Sequence, residues 1–476
     1  MSKTAHMIGV CGAGMSAVAH LLQQAGYEVT GSDEGFYPPV SDYLDRLGVD
    51  CRTPYAAANL PGDPDLVVIG KNAKLVPETN EEVRVALDRF PDRVKSFPEV
   101  LADLARERRR IVVAGSYGKS SCTALTTWCL ERAGKAPGWF VGAIPKGLDH
   151  SASLGGDGPF IFEGDEYPSA NWDDRSKFEH YDPHAVLLTS AVHDHVNVFP
   201  TLTDYHAPFL KLLDGLAGRG GRLAACTDET EAARLFGGYA GPKLAYGFGA
   251  RRDARAVNVV TGDPTRFDLC VNGQTHAGFT TTQIGRHAVE NAVGVAALLL
   301  AEGLLSVDEL RDGIASFPGV ARRMDRKTDR SRLVIYEGFG SSYEKARAAI
   351  DAMRGHFQDR CLTILFEPHT FTWRNRAALP QYETVFEGAE TVWLYAPPTQ
   401  GAGTHEQVTL DEIAQVAGGT HPDVRTFARN EASRIVAEAD PDRDVVLVLS
   451  SGSFDGALAE VIAEAERAYP APSHTP

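Results

Sequence analysis

The segment AGSYGKSS, residues 114–121, carries the residue types with which a protein loop holds nucleotide phosphates. It lies between an apolar strand-like run and a helical pattern, so backbone N–H groups can cradle phosphate oxygens while a lysine reaches the β and γ phosphates. The hydroxyl after the lysine suits Mg²⁺. Val113 stands where the longer Walker pattern has its first glycine. The alternative to a phosphate-binding loop is a turn that only faces solvent. The predicted ATP and Mg²⁺ site comprises Gly115, Ser116, Gly118, Lys119, Ser120 and Ser121.

A second glycine turn stands near the start of the chain, in MIGVCGAGMSAVAH. Gly12 and Gly14, with Met15 and Ser16 at the start of the predicted helix, let backbone N–H groups approach a diphosphate. Asp33 stands 21 residues after Gly12, at the end of the next predicted strand, where a carboxylate suits a ribose hydroxyl. Nicotinamide dehydrogenases share this pattern, and some such turns bind nothing, so these alternatives stay open here.

Acidic and imidazole side chains follow two later apolar runs, PFIFEG and HAVLLTS. Because ligand sites of open α/β sheets lie at the carboxyl ends of strands, we expect these groups near the phosphate loop. Carboxylate and imidazole together suit a divalent metal, although each residue alone is more often a loop residue or a helix cap. The candidates are Glu163, Asp165, Glu166, Asp194 and His195.

Two basic residues, Arg175 and Lys177, lie in the charged segment DDRSKFEHYDP that follows the first of these acidic groups. Beside a metal site they would meet an anionic substrate. A solvated charged turn explains the pair equally well.

The bulk properties exclude some functional classes. A formal net charge of −16 disfavours nucleic-acid binding, since phosphate backbones select for Lys and Arg. The seven cysteines include no CxxC pair, which indicates a reduced protein without a disulfide framework, and the apolar runs are too short for a bilayer. We therefore expect a cytoplasmic monomer or homodimer that acts on small molecules, with no nucleic-acid and no membrane partner.

A chain of 476 residues exceeds one hydrophobic core and indicates about three domains. Short β-branched runs alternate with amphipathic helical stretches throughout, which is typical of parallel α/β folds. The charged run ARERRR precedes a new strand, and the arginine-rich FPGVARRMDRK precedes another. We predict an α/β protein with domains at 1–107, 108–327 and 328–476.

Taken in their order along the chain, the motifs resemble those of the Mur ligases, in the branch of UDP-N-acetylmuramate–L-alanine ligase and murein peptide ligase. GAGMSAVA with GYEVTGSD resembles the uridine-nucleotide-binding opening of that branch, and AGSYGKSS resembles its AGTHGKTT loop. FEGDEYPSANWDDRSKFEHYDP resembles the region around its EADEY motif. GRHAVEN, FPGVARR and FEPHTFT are similar to later family motifs. The resemblance spans nearly the whole chain, so it is more specific than any single motif.

The resemblance implies a Rossmann-like UDP-substrate-binding domain, a central P-loop ATPase domain and a Rossmann-like domain that receives an amine. It implies that ATP phosphorylates a substrate carboxylate and that the amine then attacks the acyl phosphate. By position, the assigned residues are Lys119 (β and γ phosphates), Ser120 (first Mg²⁺), Glu163 and His195 (second Mg²⁺), Asn291 (adenine), Arg323 (transferring phosphate) and His369 (substrate).

The sequence departs from the family pattern at the start of the last region. Where the family has Asp-Asp-x-Ala/Gly-His-His-Pro, this chain has EGFGSSY, residues 337–343. Gly338 replaces the aspartate expected at the ATP ribose, and Ser341 and Ser342 replace both histidines. Tyr117 replaces a histidine of the phosphate loop. These changes concern the side of the site where ATP meets the incoming amine.

Our leading hypothesis is an ATP-dependent carboxylate–amine ligase that joins an amino acid or a peptide to UDP-N-acetylmuramate in peptidoglycan metabolism. The segment YPSANWDDRSKF favours the tripeptide-recycling type over the addition of single L-alanine. Alternatives are a relative repurposed for a non-muramyl carboxylate and a weakly active nucleotide-binding regulator. A dehydrogenase is the weakest alternative, since it leaves the second phosphate loop unexplained.

Overall fold

The computed structural model describes residues 3–37, 40–195, 198–398 and 406–471. The chain divides into two compact units. The first comprises Met1–Val259, Arg266–Thr281 and Val289–Pro318, and the second comprises Val260–Thr265, Thr282–Ala288 and Gly319–Pro476. This division does not test the predicted domain boundaries after residues 107 and 327, which stay predictions.

The first sheet of unit one is built by the N-terminal part of the chain. Its strands are β1 (Lys3–Ile8), β2 (Tyr27–Ser32), β3 (Asp50–Arg52), β4 (Leu66–Ile69) and β5 (Val94–Lys95), and its helices are α1 (Ala13–Gln24), α2 (Val40–Leu47), α3 (Glu81–Arg89) and α4 (Phe97–Leu104). The strands are parallel, in the order β3-β2-β1-β4-β5. Val18 and Leu22, four residues apart on α1, are both buried, as an amphipathic helix on a sheet requires. The glycine turn lies at the carboxyl end of β1.

A larger sheet of unit one carries the phosphate loop. Its strands and the helices near them are β6 (Arg110–Ala114), α5 (Lys119–Arg132), β7 (Gly138–Phe140), β8 (Ala152–Ser153), β9 (Phe160–Gly164), β10 (Pro168–Ala170), β11 (Asp173–Ser176), β12 (Ala185–Leu188), α6 (Leu202–Gly218), β13 (Arg222–Cys226), α7 (Thr230–Gly238), β14 (Lys243–Gly247), β15 (Ala254–Val260), β16 (Thr265–Val271), β17 (Gln274–Thr281), α8 (Arg286–Ala301) and α9 (Val307–Ser316). The order is β17-β16-β15-β14-β13-β12-β6-β9-β7-β8, while β10 and β11 form a separate antiparallel hairpin. β6 pairs in parallel with both β12 and β9, so the carboxyl ends of these three strands meet at one edge.

The sheet of unit two is formed by the C-terminal part of the chain. Its strands and helices are β18 (Asp325–Arg326), β19 (Val334–Gly338), α10 (Tyr343–His356), β20 (Cys361–Phe366), α11 (Phe371–Arg374), β21 (Thr391–Leu394), α12 (Leu410–Thr420), β22 (Val424–Thr426), α13 (Ala432–Ala437), β23 (Asp444–Leu449) and α14 (Ala457–Ala468). The order is β18-β19-β23-β20-β21-β22, with β18 antiparallel to β19 and the other neighbours parallel. Val446, Leu447 and Val448 of the central strand β23 are all buried, because both faces of the sheet are covered.

The predicted α/β class is confirmed, and the apolar runs used for that prediction all form strands. The strands that were not among the predicted ones are β3, β5, β7, β8, β10, β11, β14–β18 and β22. β15–β17 expose several of their residues to solvent, so their sequences lack the continuous apolar character of a buried parallel strand. Among the residues that the structure describes, helices that combine the length and the apolar character of a membrane span are absent.

Candidate functional site

The phosphate loop, residues 115–121, turns sharply between β6 and α5. Gly115 has a φ angle of 140° and Gly118 one of 76°, a backbone region that other residues rarely adopt. A Cβ atom on Gly115 would lie 2.7 Å from Ser190 O, and one on Gly118 would lie 3.1 Å from Asn291 Oδ1. Glycine at both positions therefore lets the loop pack closely against its neighbours. Asn291, predicted for adenine, lies beside this loop.

Residues that follow β12 anchor the loop. The N–H of Tyr117 donates to Ser190 Oγ at 2.8 Å, and Thr189 Oγ1 donates to the carbonyl of Tyr117. Ser116 Oγ donates to the carbonyl of Val192 at 2.5 Å. Since β6 and β12 are adjacent parallel strands, the segments after them meet and hold the loop in one conformation.

Lys119 begins α5 and contacts a buried carboxylate. Its Nζ donates to Glu166 Oε2 at 2.8 Å, with side chains 15% and 0% exposed respectively. Burial opposes the charge on Lys119, but the carboxylates of Glu166, Asp165 and Glu163 outweigh that cost and raise the pKa of the lysine. The lysine is therefore fully charged, as the binding of phosphate oxygens requires.

Ser120 and Glu163 form an oxygen-donor pair next to Lys119. Ser120 Oγ donates to Glu163 Oε1 at 2.8 Å, and the N–H of Gly142 donates to Glu163 Oε2 at 2.7 Å. Within the described residues, no three or more His, Cys, Asp or Glu side chains are grouped at metal-binding spacing. A hydroxyl and one carboxylate nevertheless fit Mg²⁺, which takes few protein oxygens and completes its shell with waters and phosphate oxygens.

His195 lies beside Glu166. Its Nδ1 is 3.0 Å from Tyr167 Oη, and its Nε2 is 3.4 Å from Glu166 Oε1. The backbone of His195 has a φ angle of 57°, a conformation that costs free energy for a non-glycine residue. The structure therefore brings Ser120 to Glu163 and His195 to Glu166, and the predicted metal set of Ser120, Glu163 and His195 stays a prediction.

The first glycine turn begins α1. Gly12 is the N-cap residue, and a Cβ atom on Gly14 would lie 3.4 Å from the Phe97 ring, so Gly14 permits close packing. The side chains of Met15 and Ser16 are buried. A ligand at this turn would therefore meet backbone N–H groups rather than the Met15 and Ser16 side chains.

Asp33 holds this glycine turn in place. Its Oδ2 accepts a hydrogen bond from the N–H of Cys11 at 2.8 Å, and its Oδ1 accepts one from Tyr55 Oη at 3.0 Å. The carboxylate therefore links the turn to the segment after β3. Its predicted contact to a ribose stays a prediction.

Arg175 and Lys177 both pair with carboxylates. Arg175 Nη2 donates to Asp173 Oδ2 at 2.8 Å, and its side chain is 55% exposed on the β10–β11 hairpin. Lys177 Nζ donates to Asp165 Oδ2 at 2.5 Å and lies 5.4 Å from the ring centroid of Phe97. Burial alone would raise the pKa of Asp165, but Lys177 and Lys119 lower it. Lys177 therefore contacts the acidic segment beside the phosphate loop.

In unit two, neighbouring arginines have different surroundings. Arg322 Nε donates to Glu337 Oε1 at 2.9 Å, and its Nη2 donates to the carbonyl of Gly452. The guanidinium carbon of Arg323 lies 4.6 Å from the ring centroid of Phe339. Arg322 therefore ties β19 to the segment after β23, whereas Arg323 stacks on an aromatic ring.

His369 follows β20 in unit two. Its Nδ1 is 3.1 Å from Ser451 Oγ. Nearby, the buried carboxylate of Glu367 accepts hydrogen bonds from Ser450 Oγ at 2.5 Å and from the N–H of Phe454 at 3.1 Å. His369 therefore belongs to a hydrogen-bonded loop at the carboxyl edge of the sheet, and its contact to substrate stays a prediction.

Tyr205 contacts the phosphate loop, a contact that the sequence did not predict. Its hydroxyl lies 2.9 Å from Ser116 Oγ and 3.3 Å from Glu166 Oε1. Glu166 was predicted as a metal candidate, but in the structure it pairs with Lys119. Tyr205 lies 89 residues after Ser116, in the amphipathic helix α6. From the sequence alone, its position in the helix indicates a core residue and gives no sign of a contact to the loop.

Comparisons with known proteins agree with this geometry. Residues 4–109 match the family described as Mur ligase family, catalytic domain, and residues 113–299 match the Mur ligase middle domain. The chain is 29% identical to the UDP-N-acetylmuramate–L-alanyl-γ-D-glutamyl-meso-2,6-diaminoheptandioate ligase of Haemophilus influenzae, over 95% of this chain and 97% of the relative. It is 30% identical to the UDP-N-acetylmuramate–L-alanine ligase of Solidesulfovibrio magneticus, over 82% of each chain.

Two solved structures share the fold. The UDP-N-acetylmuramate–alanine ligase of Thermotoga maritima superposes with a TM-score of 0.78 at 20% identity, covering 98% of this chain and all of that one (100%). The murein peptide ligase of Psychrobacter arcticus gives a TM-score of 0.67 at 24% identity, covering 98% and 99%. The predicted resemblance is confirmed: this chain belongs to the Mur ligase family of ATP-dependent amide-bond ligases.

Proposed function

We propose that this chain uses ATP and Mg²⁺ to join an amino acid or a peptide to the carboxylate of UDP-N-acetylmuramate. The observation that carries the proposal is the paired arrangement of Lys119 with Glu166 and of Ser120 with Glu163 at the phosphate loop. Relatives named as ligases of UDP-N-acetylmuramate and a tripeptide match 95% of this chain, which favours a peptide as the incoming amine. Such small polar substrates fit a cytoplasmic enzyme.

The reaction starts when a carboxylate oxygen attacks the γ-phosphorus of ATP and ADP leaves. In our proposal Lys119 moves from Glu166 to the β and γ phosphate oxygens, where it neutralises the charge that develops. Arg323 performs the same role for the transferring phosphate, and Asn291 holds the adenine. Mg²⁺, held by Ser120 and Glu163, would supply further charge neutralisation.

The second step forms the amide. The amine nitrogen attacks the acyl carbon of the acyl phosphate, the C–O bond to phosphate breaks, and inorganic phosphate leaves as the nitrogen loses its proton. We assign the first glycine turn and Asp33 to the UDP group and the unit-two loop of His369 to the amine. Phosphoryl transfer of this kind depends mainly on positioning and on charge neutralisation, which these residue types provide.

The proposal is tested with the purified full chain, ATP, Mg²⁺ and UDP-N-acetylmuramate, offered either L-alanine or the tripeptide. We expect phosphate release that requires both the UDP-sugar and an amine, with the tripeptide as the better amine. Mass spectrometry of the product identifies the new amide. Absence of phosphate release with every pairing would contradict the proposed ligase activity.

A second candidate is a ligase of this family with a non-muramyl carboxylate. The observation that favours it is the EGFGSSY segment, in which Gly338, Ser341 and Ser342 replace acidic and imidazole groups. Phosphate release with another carboxylate but none with UDP-N-acetylmuramate would select this candidate. Tight nucleotide binding without any turnover would instead indicate a regulator.

A further inference from the structure

Tyr205 lies in the first turn of α6 with its side chain fully buried. Its ring packs against Phe199 and Phe209, with centroid separations of 5.5 and 5.4 Å. The ring is thus a core group, whereas its hydroxyl points to the phosphate loop. A buried tyrosine hydroxyl needs hydrogen-bond partners, and the identity of these partners decides what the residue does.

The hydroxyl of Tyr205 contacts two groups of the nucleotide site. It lies 2.9 Å from Ser116 Oγ and 3.3 Å from Glu166 Oε1. Ser116 Oγ uses its own hydrogen toward the carbonyl of Val192, so the phenol is the donor in the contact to Ser116. Burial, reinforced by the charge of Glu166, raises the pKa of Tyr205 far above its ordinary value, which keeps this donor protonated.

Glu166 gives this contact its importance. The carboxylate is fully buried, with Oε2 accepting a hydrogen bond from Lys119 and Oε1 lying near Tyr205 and His195. If Lys119 moves to the phosphates of ATP, Glu166 loses its closest cation while remaining buried. The single hydrogen of the phenol points to Ser116 while Lys119 pairs with Glu166, and it can turn to Glu166 Oε1, 3.3 Å away, when Lys119 moves. This hydrogen bond then limits the cost of uncovering the buried charge.

We propose that Tyr205 is a positioning residue of the nucleotide site: its hydroxyl holds the phosphate loop through Ser116 while Lys119 pairs with Glu166, and it turns to Glu166 once Lys119 moves to phosphate. The inference rests on the proposed use of ATP by this loop. Tyr205 touches no reacting atom in this scheme. Tyr205 instead affects the affinity with which the loop and Lys119 bind phosphates.

The test compares Tyr205→Phe with Tyr239→Phe in the full chain. Tyr239 is buried in the same unit, and its hydroxyl donates to the carbonyl of Gly221 at 2.6 Å, away from the phosphate loop. Each variant loses one buried hydroxyl, so similar losses in melting temperature are expected. We expect Tyr205→Phe to bind the non-hydrolysable ATP analogue AMP-PNP with Mg²⁺ about tenfold more weakly, and Tyr239→Phe to bind it as wild type does.

A double-mutant cycle with Ser116→Ala sharpens this test. Because both side chains form one contact, we expect the double variant to bind AMP-PNP about as weakly as Tyr205→Phe alone. If Tyr205→Phe fails to fold, Ser116→Ala removes the contact to Tyr205, together with the hydrogen bond to Val192, while the phenol ring stays packed, and weaker AMP-PNP binding is again expected.

Unchanged AMP-PNP affinity in the folded variants, or strictly additive losses in the cycle, would overturn the role of Tyr205 while leaving the ligase proposal intact. Failure of the wild-type chain to bind AMP-PNP would instead overturn the proposed function. The two failures are therefore distinguishable by the wild-type measurement alone.

Discussion

The phosphate loop of unit one and the EGFGSSY segment of unit two occupy equivalent places, since each follows a buried strand and leads into a helix. In the phosphate loop, the polar side chains face one another as charged or hydrogen-bonded pairs suited to phosphate. Lys119 pairs with Glu166, and Ser120 pairs with Glu163. Lys119 can therefore exchange the carboxylate of Glu166 for a phosphate, which is also an anion.

In the EGFGSSY segment, the polar groups make structural contacts. Glu337 pairs with Arg322 and Lys327, and Ser342 Oγ caps the start of α10 by accepting from the N–H of Lys345. Trp373 Nε1 donates to the carbonyl of Gly340 at 2.7 Å. The segment is thus held by the fold of unit two itself.

The comparison shows that a segment can lose the residues of the family pattern and still be held in a defined conformation by its neighbours. The departures in unit two are accommodated by packing, so we expect that reverting one of them alone does not recreate the family site. The phosphate loop keeps its glycines, its lysine and its hydroxyls, whereas the EGFGSSY segment lacks the aspartate and the histidines of the family pattern. Four substitutions test this contrast.

The largest effect is expected for Lys119→Ala. Removing the cation that meets the phosphates should lower ATP-dependent phosphate release at least about a hundredfold, because charge neutralisation is the main catalytic contribution in phosphoryl transfer. Lys135→Ala is the control, since this half-exposed lysine pairs with Glu309 away from the loop. Near-wild-type release by folded Lys119→Ala protein would refute the assignment of the loop.

Gly338→Asp restores the family aspartate but should not restore a site. A Cβ atom at Gly338 would lie 3.3 Å from both Leu449 Cδ2 and Met324 Sδ, so the new carboxylate would enter an apolar environment. We expect the free energy of unfolding to fall by about 2–4 kcal/mol, measured by denaturant titration. Gly355→Asp, with nothing within 4 Å of its Cβ, is the control in the same unit. A gain in activity without loss of stability would contradict this account.

Glu163→Gln tests the proposed Mg²⁺ ligand. Replacing the carboxylate with an amide removes the charge that favours a divalent ion, so the Mg²⁺ concentration for half-maximal activity should rise about tenfold. Glu131→Gln, on the same helix as Lys119, is the matched control. If both variants require the same Mg²⁺ concentration as wild type, Glu163 is not a ligand.

Phe339→Leu should have the smallest effect. The substitution removes the ring under Arg323, a contact worth about 0.5–1 kcal/mol, so kcat should fall about two- to fivefold with the KM for ATP unchanged. Phe357→Leu removes a ring 5.9 Å from Arg360 and serves as the control. Equal kcat values in the two variants would show that Phe339 does not position Arg323.

Much of this molecule is determined by local sequence. The alternation of apolar strands and amphipathic helices determines the α/β class. GSYGKSS determines a tight strand-to-helix turn, because such a turn needs glycine at its positive-φ positions. Glu163 and Lys119 were predicted from the same local patterns. Such features depend on residues within one turn or one strand end.

The tertiary structure alone decided which groups meet. Tyr205 reaches Ser116 across 89 residues, and Glu166 pairs with Lys119 across 47, because parallel strand order brings distant segments to one edge. The environment of Gly338 likewise depends on Leu449 and Met324, which no local pattern links to it. A periodic pattern records which face of an element is buried, whereas the identity of its neighbours follows from the order of the strands in the sheet.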